Sequence, residues 1–149
     1  MTGIQDGGVA GAPGARSERR FEAARGQIPA VVAFVEAAAE AWGMHRRRRM
    51  QLQLALEEAV VNICEYAYER PPGEIVVTVE PSSRRFAVEL VDEGVPFDPL
   101  AVDEPDLRSE AAERPIGGLG ILLVRRVLDE VTYRRDGTRN ILRLVIGRR

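Results

Sequence analysis

Between Leu52 and Tyr68 apolar residues recur at three- and four-residue spacing, with Leu52, Leu56, Ala59, Ile63 and Ala67 on one face. The stretch is rich in good helix formers and free of Gly and Pro, so it is predicted to be a helix. The same period in Ile28, Val31, Val32, Phe34, Val35 and Ala38 predicts an earlier helix, with Pro29 in its first turn and Gly43 at its end. After the breaker Arg70-Pro71-Pro72-Gly73 the pattern changes. Glu74 to Glu80 carries Ile75, Val76, Val77 and Val79, and Arg85 to Asp92 alternates through Phe86, Val88 and Leu90, so two strands are expected around a Pro81-Ser82-Ser83 hairpin. Val131 to Arg135 and Arg139 to Ile146 predict two more, joined by the turn signal Asp136-Gly137. Glu18 to Ala23 can supply a short edge strand. A third helix is predicted to open at Gly117-Gly118-Leu119-Gly120 and run to about Asp129, with Ile121, Leu122, Val124, Val127 and Leu128 as its apolar residues.

Helices first and antiparallel hairpins after them point to an α+β fold. The expectation is a two-layer sandwich: a mixed, mainly antiparallel sheet of about five strands covered on one face by three helices. Residues 1–15, rich in Gly and Ala, read as a disordered tail, and residues 16–149 as one domain. Pro96 to Pro115 is acidic and holds four prolines; a loop of that length inside a compact domain is usually functional or disordered.

Composition narrows the function. A formal net charge of −2 over 149 residues argues against a nucleic-acid binder. Every basic residue is Arg, which reads as coding bias, and the run Arg46 to Arg49 reads as a solvated loop or helix start. Cys64 is the only cysteine and His45 the only histidine, which excludes a disulfide framework, a Cys- or His-rich metal cluster and a His-based triad. No apolar run reaches membrane-spanning length and no signal pattern opens the chain, so no membrane partner and a cytoplasmic location are expected.

Three stretches carry candidate chemistry. Glu58 and Asn62 lie four apart on one helix face, and Glu65 and Glu69 extend the stripe. This is either a solvated face or a catalytic pair, in which the Asn62 amide oxygen is a hard ligand for a Mg²⁺ that also holds phosphates and Glu58 is a base beside it. Alternation puts Asp92 on the face of Phe86, Val88 and Leu90, where a carboxylate is costly unless hydrogen-bonded. It is either a local turn cap or an acceptor aimed at a ligand, with Gly94 letting the backbone approach a flat ring. Gly117-Gly118-Leu119-Gly120 at a helix start is either a structural turn or an anion site of free N–H groups at the positive end of a helix dipole. It is neither a Walker sequence nor a dinucleotide fingerprint.

The order of these motifs is more specific than any one of them. Helical Glu-Xaa-Xaa-Xaa-Asn (Glu58 to Asn62), strand-terminal Asp-Xaa-Gly (Asp92 to Gly94), a long loop and then Gly-Xaa-Gly (Gly118 to Gly120) resembles the histidine-kinase-like (GHKL) ATPase superfamily. Within it, the short form and the run Glu58-Ala59-Val60-Val61-Asn62 look most like the anti-sigma-factor serine kinases. The resemblance runs from about Glu18 to Ile146. It implies ATP and Mg²⁺ as cofactors, with Asn62 holding the metal against the phosphates and Glu58 as catalytic base. It further implies that Asp92 accepts from the adenine amino group, that Gly94 lies under the base, and that Gly118 and Gly120 cradle the phosphates. Asp98 to Pro115 would be the ATP lid; Phe97, Arg114, Gly117 and Leu119 complete the implied binding set. The implied activity is phosphorylation of a small regulatory protein partner, an anti-anti-sigma-like regulator, with a sigma factor in the alternative complex. A homodimer through the N-terminal strand and first helix is also implied. Two departures stand out: Pro96 takes the place of the second glycine of the first glycine box, and Ile116 stands where an Arg often precedes the second, the nearest being Arg114. A complete histidine kinase is not expected, and a nucleotide-gated binding module without efficient transfer is the alternative to a kinase.

Overall fold

A computed structural model of the chain describes residues 14–70, 73–101 and 125–148. Five strands form one sheet: β1 (Ser17–Glu22), β2 (Glu74–Pro81), β3 (Arg85–Asp92), β4 (Glu130–Asp136) and β5 (Arg139–Gly147), in the order β1-β2-β3-β5-β4. Every described pairing is antiparallel. Two helices, α1 (Ile28–Trp42) and α2 (Arg46–Asn62), bury their apolar stripes in the same core as the inward face of this sheet. The third predicted helix falls mainly outside the described residues; positions 125–127 are helical and Leu128 is buried in the core.

The α+β sandwich follows from the apolar pattern. Val31, Val35, Ala39 and Trp42 are the buried stripe of α1, which has Pro29 in its first turn. Gly43, at φ 89°, closes it: its N–H reaches Glu40 O at 2.9 Å and the Met44 N–H reaches Ala39 O at 3.0 Å, the paired bonds of a Schellman ending. From α2 come Leu52, Ala55, Leu56, Ala59 and Val60; from the sheet come Ile75, Val77, Val79, Phe86, Val88, Leu90, Leu144 and Ile146. Trp42 packs on Phe86, ring centroids 5.6 Å apart, and its indole N–H donates to Ser82 O at 2.7 Å, so the large ring is buried with its one polar atom satisfied.

Helix α2 starts six residues earlier than its apolar pattern, at the arginine run. Cations there oppose the helix dipole, and tertiary contacts offset the conflict. Arg48 donates to Val127 O (3.0 Å), Gln51 Oε1 (2.9 Å) and Asp129 Oδ1 (2.8 Å), while Arg49 pairs with Glu36 and Glu40 of α1. The run is thus a helix start, one of the two expectations, and Arg48 and Arg49 are ties between elements. No described helix is long and apolar enough to cross a membrane.

Candidate functional site

Four polar or charged side chains are buried among the described residues: Asn62, Thr78, Asp92 and Asn140. Thr78 gives its hydroxyl to Glu18 at the sheet edge (3.2 Å). The other three line one cavity, together with the apolar Ala59, Ile63, Ala67 and Leu142, the ring of Phe97, and Pro99 and Tyr133. Burying polar groups is costly, so their convergence on one hollow marks a built site.

Asn62 is placed by the end of α2. It is the last α-helical residue, and Ile63–Ala67 continues as a single wide π turn before Tyr68 becomes extended. Wide turns of this kind are frequent at functional sites. The turn is held by what it touches. Ala67 O accepts from the Val95 N–H at 2.7 Å, and the Tyr68 hydroxyl donates to Glu74 O (2.6 Å) while accepting from the Glu93 N–H (2.9 Å). Arg25 pairs with Glu65 from the other side. The helix end is thus stapled to β2 and to the loop after β3. Asn62 is 6% exposed, and its carboxamide has no hydrogen-bond partner among the described residues. A buried amide left open toward a cavity fits a ligand, and its hard neutral oxygen fits a Mg²⁺ whose other ligands are phosphates and water.

Asp92 ends β3 and is 5% exposed, on the inward face with Phe86, Val88 and Leu90 as the alternation predicts. Its Oδ1 accepts from the Gly94 N–H at 2.9 Å and from Asn140 Nδ2 at 2.8 Å. Its Oδ2 has no partner among the described residues. The turn-cap reading therefore holds on Oδ1, and Oδ2 is the oxygen left for the ligand-acceptor reading. Burial pushes the carboxyl above its ordinary value; the bonds from Asn140 and Gly94, and then the Arg135 charge, oppose that rise.

Asn140 was not among the expected site residues. It faces Asp92 directly across the β3–β5 pairing. Its Nδ2 also donates to Val95 O at 2.8 Å, and its Oδ1 accepts from the Tyr133 hydroxyl (2.5 Å) and from Arg135 Nη1 (3.1 Å). Asn140 shares its strand face with Leu142, Leu144 and Ile146, so the period-two rule that singles out Asp92 singles it out as well.

Of the expected residues, Asn62, Asp92 and Phe97 meet at the cavity, and Phe97 stacks on Tyr66 with ring centroids 5.6 Å apart. Glu58 is half-buried one turn before Asn62 and is not part of the lining. Gly94 does not line the cavity either. A Cβ there would lie 2.1 Å from Ala67 O and 2.5 Å from Ala67 C, so the close approach that needs glycine is to the end of the helix and not to a flat ring. Arg114, Gly117, Gly118, Leu119 and Gly120 lie outside the described residues, as does most of the expected lid. At the lid's start, Asp98 Oδ1 accepts from the Leu100 N–H at 2.8 Å and opens a short turn. Half-buried Cys64 has its thiol pushed up, chiefly by burial, which suits a packing role.

A profile of the histidine kinase-like ATPase domain matches residues 21–146. Over 95 residues the chain is 27% identical to serine-protein kinase RsbW of Bacillus thuringiensis (strain Al Hakam) and of Bacillus cereus (strain 03BB102), each match taking in 61% of this chain and 59% of the relative. Serine-protein kinase RsbW of Bacillus anthracis matches over the same share. The chain thus spans less than two thirds of the length of the curated relatives it matches. The histidine kinase AdeS of Acinetobacter baumannii is similar in structure with a TM-score of 0.49 and 19% identity, over 89% of this chain and 68% of that one.

Proposed function

The chain belongs to the histidine kinase-like ATPase domain family, and on that footing we propose that it binds ATP with Mg²⁺ and phosphorylates a serine or threonine of a small regulatory protein. The observation that carries the nucleotide half is the Asp92 carboxylate. It is buried at the cavity wall, with Oδ1 fixed by two N–H donors and Oδ2 open. An open acceptor beside apolar walls suits the exocyclic amino group of a flat purine, and it selects adenine because guanine presents a carbonyl oxygen at that position. The partnerless Asn62 amide supports a metal and phosphates at the helix end of the same cavity, where Mg²⁺ would offset phosphate charge.

The kinase half rests on likeness to the serine-protein kinases and on Glu58, one turn from Asn62, which would take the proton of an incoming hydroxyl. On this reading the partner is an anti-anti-sigma-like regulator, a sigma factor is held in the alternative complex, and phosphorylation controls a transcription factor by partner switching in the cytoplasm, from a homodimer. Pro96 and the absence of Glu58 from the cavity lining favour a second reading, a nucleotide-gated binder that transfers no phosphate.

Calorimetry with Mg-ATP and Mg-GTP tests the first half. ATP should bind, GTP should bind far more weakly, and Asp92→Ala should cost about 1–3 kcal/mol, roughly ten- to a hundredfold in ATP affinity. Equal affinity for the two nucleotides, or an unaffected Asp92→Ala, would overturn it. Radiolabelled phosphate transfer to a co-purified or genomically adjacent partner tests the second half; stable binding without transfer over hours leaves the gated binder.

A further inference from the structure

An amide side chain has direction: its oxygen accepts and its nitrogen donates. At Asn140 both ends are committed. Oδ1 accepts from Arg135 Nη1 (3.1 Å) and the Tyr133 hydroxyl (2.5 Å), and Nδ2 donates to Asp92 Oδ1 and Val95 O (each 2.8 Å). Turned by half a rotation, Asn140 would aim its N–H groups at Arg135, which is a donor only. It would also aim its oxygen at the Asp92 and Val95 oxygens. A proton on Asp92 relieves the part of that conflict at Asp92. The direction of Asn140 and the protonation of Asp92 are therefore coupled, and the guanidinium holds the coupling on one side.

We propose that Arg135 is a positioning residue for the ligand-facing carboxylate: by fixing the direction of Asn140 it keeps Asp92 an acceptor, with Oδ2 open to a ligand N–H. This deepens the adenine reading by naming what sets its acceptor, and rests on that reading for the identity of the ligand. Arg135 is exposed on β4 and does not line the cavity, so it acts through Asn140. A second bond from Nη1 to Gly94 O (2.8 Å) ties it to the loop that also donates to Asp92. Around Asp92 stand Arg135 and Tyr133 from β4, Tyr68 from the segment after α2, and Glu93 beside it, while Glu74, Arg134, Asp136 and Arg139 share a second hollow with it. Of the cations, Arg135 is the one whose charge bears on the carboxyl and whose guanidinium reaches Asn140. Burial favours the proton on Asp92 and the Asn140 bond opposes it, so freeing Asn140 tips the balance toward the proton.

The test follows the Asp92 side-chain carboxyl by carbon NMR in the full chain, and Mg-ATP affinity by calorimetry, at pH values on both sides of the Asp92 midpoint. Arg135→Met should raise the Asp92 midpoint, so affinity falls several-fold on the acid side of that midpoint while the alkaline side changes by less than about twofold. In the Asn140→Leu background Arg135→Met should shift the midpoint far less, leaving only the direct effect of the charge. A shift as large in that background as in wild type means the charge acts through space alone, and overturns the proposal. An unchanged midpoint, or an affinity loss equal at every pH, overturns it too. Should Asn140→Leu fail to fold, the Asn140 side-chain NH₂ signals decide: they should exchange faster in Arg135→Met than in wild type, and equal exchange refutes the role. No ATP binding by a wild type whose Asp92 midpoint still moves in Arg135→Met removes the adenine reading and leaves the positioning role supported.

Discussion

Gly94→Ala separates a glycine that serves the fold from one that serves a ligand. Gly94 does not have a positive φ, so the backbone conformation alone would admit alanine. What forbids it is space: the added methyl carbon would stand 2.1 Å from Ala67 O, 2.5 Å from Ala67 C and 2.6 Å from Ala67 Cβ. These atoms belong to the π turn and cannot rotate away like the end of a flexible side chain. Reaching even the 3.0 Å floor of real contacts takes about 1 Å of relative movement of loop and helix end, which would strain or break the Val95 N–H to Ala67 O bond at 2.7 Å. Overpacking of this kind costs about 1–3 kcal/mol and the lost bond about 1 kcal/mol, so a destabilisation of roughly 2–4 kcal/mol is expected. For a chain of this length that lowers Tm by about 4–15 °C. Gly26→Ala, with nothing within 4 Å and no positive φ, is the control and should change stability by less than about 0.5 kcal/mol. The assay is urea and thermal unfolding of both variants beside ATP affinity. An unfolding curve like wild type with a large loss of affinity would refute the packing argument and restore the ligand role of Gly94.

Asp92→Asn should trade function for stability. The folded carboxyl holds its proton more tightly than at its ordinary value of 3.8, so Asp92 contributes stability that is fully present below that value and lost as pH rises through the folded value. The variant's advantage in urea midpoint should therefore grow as pH rises above 3.8 through the raised folded value, while ATP affinity falls because an N–H end replaces the open acceptor. Glu80 has the opposite sign. Its bonds to Arg143 and Arg16 hold its carboxyl below the ordinary range, so the stability it contributes is present at neutral pH and lost as pH falls through the lowered value; Glu80→Gln should narrow the pH dependence on the acid side. Glu58→Gln should keep ATP affinity within a few-fold while partner phosphorylation falls by about 10²–10⁴. Asn62→Ala should lose Mg²⁺-dependent ATP affinity as well as turnover, because it removes the open amide; unchanged affinity there would count against a metal at the end of α2.

Much of the scaffold could be read from periodicity because the relevant neighbours are local or lie on the same strand. The α1 helix, the two hairpins and the inward Asp92 all follow from spacings of three to four or of two. Where the reading stopped short, the cause is a tertiary neighbour. The start of α2 lies in an arginine run without apolar period, and it is held by Val127, Asp129 and α1. The π turn answers to Val95, and Gly94 to Ala67. The last hairpin pairs Asp136 with Arg139, so its two turn residues are Gly137, at φ 57°, and Thr138, one position later than the Asp-Gly signal placed them. Asn140 is different: the alternation already showed a polar residue on an apolar face, and only its pairing with Asp92 across two strands was needed to see the site.

That pairing bears on why the site exists at all. A carboxylate and a carboxamide opposite each other inside a sheet are not a stabilising choice, since apolar residues of similar volume there would avoid desolvation altogether. Once present, the pair must be satisfied in full, and the chain supplies this at Asn140, where two donors and two acceptors converge. Among the described residues it does not do so at Asp92 Oδ2 or at Asn62, which line the same cavity. A fold selected only for stability would have closed those two groups or removed them. Their openness among the described residues, beside the closed network at Asn140, is what supports binding chemistry at the boundary between the sheet and the end of α2.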